Sequence, residues 1–128
     1  MESNDPRPPP GKWLGYYLYH LAVVQHRQTI RLYFSNYAIV GNGTDDVGNF
    51  TIKGSYDPEL REARWQKCYV THDVLYRGFY EDSSIWGIWR IDDRASGGFR
   101  IWHSSYLKFV SMEEAKKWLV NDRTALRG

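Results

Sequence analysis

Along most of this chain apolar and polar residues alternate one by one, and that period of two is its strongest constraint on a fold. In TIRLYF, Ile30, Leu32 and Phe34 share one face while Thr29, Arg31 and Tyr33 share the other. In FTIKGSY, Phe50, Ile52, Gly54 and Tyr56 oppose Thr51, Lys53 and Ser55, and VLYRGFY, IWGIWRI and FRIWH repeat the pattern. Half-buried β-strands sort side chains in this way and helices do not. An aromatic content of 16%, with 6 Trp and 10 Tyr, strengthens the β assignment, because rings pack well on pleated surfaces.

Turn signals separate the runs. WLGYYLYHLAVV, residues 13–24, reads as a long first strand closed by a polar turn over Gln25 to Gln28. Ser35-Asn36, Asp57-Pro58, Thr71-His72-Asp73, Glu81 to Ser84 and DDRASGG, residues 92–98, punctuate the rest of the chain, with YAIV and RWQKCYV as the remaining strands. About eight strands joined by short connections favour sequential antiparallel pairing. Closing such a meander removes both unprotected edges, so the expected fold is mainly β: an antiparallel up-and-down barrel of about eight strands.

The flanks differ. Residues 1–11 are polar and proline-rich and read as a flexible tail, with the barrel over 12–110. In residues 111–128, Ser111-Met112-Glu113-Glu114 has the form of a capping box, and Ala115, Trp118 and Leu119 share a helical face, so one C-terminal α-helix is expected over about Met112 to Asp122.

The decamer GNGTDDVGNF, Gly41 to Phe50, holds three glycines and two adjacent aspartates. A strand comes after it rather than a helix, which argues against a dinucleotide cradle, and neither a P-loop ending nor EF-hand spacing is present. It reads as a turn, with Asn42-Gly43 as a mirror-image hairpin pair and Gly48 as a bulge. On that reading Asp45 and Asp46 are solvated, and asparagine at both alters stability only modestly.

Gly11-Lys12-Trp13 opening the first strand, the eight-strand meander and the C-terminal helix together resemble the calycin barrels: lipocalins, fatty-acid-binding proteins and avidins. The resemblance implies a ligand-sized interior and small-molecule binding. It also implies that Trp13 plugs one barrel end beneath an arginine from the last strand, for which Arg100 is the candidate. Departures are visible: the lipocalin Thr-Asp-Tyr turn is absent, and Arg100 alternates with Phe99 and Ile101, the expected inward residues.

With charges turned outward, strand 64–70 stands apart. One register sends Trp65, Lys67 and Tyr69 inward, the other Arg64, Gln66 and Cys68, so either way a polar group enters the barrel. A buried polar group needs a partner, which points to a pocket walled by Tyr56, Trp65, Tyr76 and Trp89 and anchored by Lys67 and His103, taking a small apolar or aromatic ligand. Gly54, Gly78 and Gly87 either leave room there or ease curvature. The competing reading is a barrel filled by its own side chains. The protein is then an interaction module, binding a protein partner or a second copy through aromatics such as Trp13, Tyr33, Tyr80 and Trp102.

A small barrel enzyme of isomerase or hydrolase type using His, Tyr and Lys is a third reading, without an identifiable catalytic residue. No nucleophile motif, metal-ligand spacing or cofactor fingerprint appears, and the lone Cys68 reads as a small buried hydrophobe. A formal net charge of +2 with scattered cations gives no expectation of nucleic acid, and no window is apolar enough for a membrane helix; a cytoplasmic location is the default.

Overall fold

A computed structural model describes residues 7–105. The strands are β1 (Gly11–Tyr19), β2 (His26–Ser35), β3 (Ala38–Asp45), β4 (Asn49–Asp57), β5 (Glu62–Cys68), β6 (Asp73–Glu81), β7 (Ser84–Ile91) and β8 (Ala95–His103). Each pairs antiparallel with the next, and β8 returns to β1 with Trp13 opposite His103 and Tyr19 opposite Gly97, closing the barrel. The up-and-down barrel read from the alternation is the fold. The helix expected over Met112 to Asp122 lies outside the described residues.

Alternation decides what faces in. Ile30, Leu32 and Phe34 from β2, Ile52 and Tyr56 from β4, and Ile85 and Trp89 from β7 are all buried inside the barrel. In β5 the register left open by the sequence sends Trp65 and Lys67 inward, and Cys68 sits half-exposed on the outer face rather than buried. Of the aromatics named as interaction anchors, Trp13 and Tyr80 are core residues and Tyr33 is exposed.

Two boundaries differ from the sequence reading. The first strand stops at Tyr19 because its neighbours run out: β2 pairing ends at Tyr17 opposite His26, and β8 pairing ends at Tyr19 opposite Gly97. Beyond it Leu21 takes a φ of 62°, and the apolar run to Val24 is exposed in the β1–β2 loop.

The mirror-image hairpin turn is not at Asn42-Gly43 but at Asn36-Tyr37, whose φ values of 50° and 67° are those such a turn requires. Asn42 and Gly43 lie within β3, opposite Arg31 and Ile30. Gly43 faces inward under the Phe50 ring, where a Cβ would stand 2.7 Å from Cζ. The chain reverses instead across Asp46-Val47-Gly48. There Asp45 N–H donates to the Gly48 carbonyl at 3.1 Å, and Asp45 Oδ1 accepts from the Val47 N–H at 2.9 Å.

The N-terminal end, where the chain enters β1, is covered by residues 7–10. Pro8 is fully buried, the Trp13 indole donates to the Pro9 carbonyl at 3.0 Å, and Arg7 reaches the Phe34 carbonyl at 3.3 Å. The segment expected to be a flexible tail is thus pinned to the barrel from Arg7 onward.

Gly54 shows what the inward glycines do. A Cβ there would lie 2.0 Å from the Arg64 carbonyl oxygen and 2.6 Å from Trp65 Cα, so the missing side chain lets β5 press against β4 at a tight bend. It serves curvature and leaves no room for a ligand. Gly54→Ala is expected to destabilise the fold by about 1–3 kcal/mol, seen as a lower urea midpoint with unchanged slope.

Candidate functional site

The far end of the barrel, where β1 finishes and β8 begins, gathers most of the buried polar chemistry. It is organised by Lys67, which is fully buried. Its Nζ donates to Asp45 Oδ2 at 2.5 Å, Gln28 Oε1 at 3.0 Å and the Tyr76 hydroxyl at 3.3 Å, using all three ammonium protons. Phe50, Tyr17, Tyr69 and Tyr76 surround it, with Nζ 4.3 to 5.3 Å from their ring centroids. A cation taken from water into such a place needs both its carboxylate and its rings.

The carboxylate comes from the turn that the decamer builds. Asp45 ends β3 in phase with Ile39, Gly41 and Gly43, so its side chain points inward and is fully buried. Tyr69, just past β5, donates its hydroxyl to the same Oδ2 that Lys67 holds. Asp46 faces the mouth: its Oδ1 accepts from the Tyr17 hydroxyl at 2.5 Å and its Oδ2 meets His26 Nδ1 at 2.6 Å. The His26 ring stacks on Tyr17 at 4.9 Å. The two aspartates therefore latch the β3–β4 turn across the barrel end; the expectation of a solvated carboxylate is corrected for Asp45, whereas Asp46 remains half-exposed. The other acidic pairs do occupy exposed turns, with Asp82 and Asp92 at φ 54° and 47°.

The electrostatics follow from burial. Desolvation pulls the Lys67 ammonium below the ordinary lysine value, and the charge and hydrogen bond of Asp45 only partly restore it. Desolvation also pushes Tyr17, Tyr69 and Tyr76 upward, with the nearby aspartates adding to it, so all three hydroxyls stay protonated. Burial works to raise Asp46, but the hydrogen bonds from Tyr17 and His26 outweigh it and hold its carboxyl below the usual carboxylate range.

Four of the residues singled out in the sequence meet here. Tyr76 bonds Lys67, Trp65 stacks on Tyr76 at 5.4 Å, and Trp89 lies opposite Tyr76 in the β6–β7 register and donates to the Leu18 carbonyl at 3.0 Å. Two do not. Tyr56 packs on Phe34 at 5.7 Å near the N-terminal end, and His103 sits at that end, donating through Nε2 to the Pro10 carbonyl at 2.8 Å and edging onto Trp13 at 5.5 Å. His103 is therefore no partner of Lys67. Arg100 is on the outer face, over Trp102 at 5.1 Å, so the ring against Trp13 is His103 and not the arginine the resemblance implied.

Gln28, Asp45, Asp46, Tyr17, His26 and Tyr69 were not read as site residues. Extending the alternation of β3 through NGTD would have found Asp45. Two buried donors lack partners among the described residues, Gln28 Nε2 and Trp65 Nε1. A void of about 30 Å³ lies between Tyr17, Tyr69, His72, Tyr76 and Trp89 beneath Val47, room for one or two waters; neither Gln28 nor Trp65 lines it. Among the described residues no three metal-ligating side chains cluster.

No family model, curated protein or solved structure matches the chain, so the likeness to calycins stands on the closed eight-strand barrel alone.

Asp45→Asn strands a buried ammonium and is expected to cost about 3–5 kcal/mol in urea denaturation, whereas adding Lys67→Met to it restores most of the loss. Asp46, with its folded pKa depressed, contributes stability that is complete above the unfolded carboxylate value of about 3.9 and disappears as pH falls through its lower folded value. Asp46→Asn should therefore flatten the acid limb of a stability-against-pH curve below about pH 4 and leave its shape near neutrality unchanged.

Proposed function

We propose that the protein binds a small planar ligand, apolar or aromatic with hydrogen-bond acceptors on one edge, at the far end of the barrel over Lys67. The observation that carries this reading is the convergence of Trp65, Lys67, Tyr76 and Trp89 on a cluster that leaves the buried donors Gln28 Nε2 and Trp65 Nε1 without partners. Ring faces of Tyr17, Tyr69 and Trp89 supply stacking surface at the mouth, and the donors lie one layer deeper, behind Tyr76, which bonds Lys67 and stacks on Trp65, so the ligand's acceptor edge has to reach past that ring.

Size limits the ligand. Drug-sized molecules occupy roughly 300–1,000 Å³, far more than the void beneath Val47, so binding goes with lifting the Asp46-Val47-Gly48 turn off the mouth. The turn suits that part: Val47 is exposed, and the outer latch consists of the Tyr17 and His26 bonds to Asp46. Elsewhere among the described residues the inward side chains pack into one buried cluster.

Two-dimensional NMR with indole, nicotinamide and benzoate as probes tests the assignment. Saturable shifts are expected at residues 45–48, Tyr69, His72 and Trp89, with Trp13, Tyr56 and His103 silent, and Tyr69→Ala should remove them while the barrel stays folded. Absence of saturable shifts with every probe, or shifts confined to the N-terminal end, would overturn the reading.

A further inference from the structure

The outer wall carries a second arrangement, independent of the mouth. Outward residues of β4 to β7 form two neighbouring rows fixed by the register. One runs Lys53, Gln66, Leu75, Arg90, and the other Ser55, Arg64, Arg77, Ile88. Together they line a shallow groove of about 630 Å³. Leu75 and Ile88 are 47% and 59% exposed and stand diagonally across β6 and β7, so their side chains make one apolar floor.

Four cations frame that floor. Arg64 and Arg77 stand directly opposite each other, an unfavourable pairing by itself, and a single carboxylate, Glu62, bridges both at 2.7 and 3.1 Å. Among the described residues Lys53 and Arg90 take part in no ion pair. Neither row contains an acidic residue, and the two carboxylates that reach the rows, Glu62 and Asp73, which accepts from Gln66 at 2.6 Å, are outnumbered by the four cations, so the groove keeps a net positive charge although the whole chain is nearly balanced.

From this register we infer that the β4–β7 groove docks an acidic protein segment that alternates carboxylate and aliphatic side chains. Charge complementarity selects an anionic partner, and arginine forks fit carboxylates in pairs. The floor distinguishes the kind of anion. Bases of a single-stranded nucleic acid stack on flat rings, whereas this groove presents aliphatic groups. The nearest exposed rings, Phe79 and Trp86, lie in the next row beside Glu62, whose charge repels phosphate.

Fluorescence anisotropy of the whole protein with a labelled peptide of repeating Glu-Leu-Glu-Ser units tests it. Saturable binding that weakens with salt is expected, reduced at least about tenfold by Ile88→Asp or Arg90→Glu. Arg31→Glu, the same charge change on the exposed face of β2, should leave it within about twofold, with circular dichroism confirming that each variant is folded. The inference is overturned if the peptide does not bind, if glutamine in place of glutamate binds equally well, if Arg31→Glu weakens binding as much as Arg90→Glu, or if an oligothymidine probe binds the groove as tightly as the peptide.

Discussion

A positive charge inside a β-barrel has to be answered by the barrel itself, and the far end of this one is arranged around that need. Lys67 is delivered inward by the strict alternation of β5, with no freedom to escape to water without turning the whole strand over. Its three donors and the faces of four rings are engaged, and the one carboxylate that neutralises it comes from a turn between two other strands. The ion pair therefore sets where the β3–β4 turn rests over the barrel end.

The two ends are closed by different means. At the N-terminal end the closure is apolar and backbone-mediated: a buried proline, an indole donating to a carbonyl, and a histidine edge on Trp13. At the far end it is ionic and hydrogen-bonded, with two aspartates gripping opposite sides of the opening. Closure at the N-terminal end rests on packing and on backbone acceptors, whereas the far end is latched through carboxylates, tyrosines and a histidine. That difference in chemistry is why the proposed ligand entry is placed at the far end.

The alternation carried most of the architecture. Strand number, meander order, closure and the inward placement of Ile30, Phe34, Ile52, Tyr76 and Trp89 all follow from period two and short connections. The decamer misled because glycine has two uses: Asn42-Gly43 matches a hairpin turn locally, but Gly41 and Gly43 keep the inward phase of β3, pressed against the Arg31 backbone and the Phe50 ring, a tertiary requirement invisible in a ten-residue window. The site was half legible. Lys67, Tyr76, Trp65 and Trp89 share the inward phase of β5, β6 and β7, but their answering partners, Gln28 and Asp45, lie 39 and 22 residues from Lys67, and only closure brings them together. His103 was misplaced for the same reason, since alternation gives the face of a residue and not its height along the barrel.

Everything at the far end depends on Lys67 being a buried ammonium held by Asp45. Nitrogen-15 NMR of the lysine side chains, followed against pH, addresses this directly. The expected result is one Nζ with protons exchanging slowly enough to be seen, titrating below the ordinary lysine range, and losing its protection in Asp45→Asn. A set of lysines that all exchange and titrate as free amines do would contradict it.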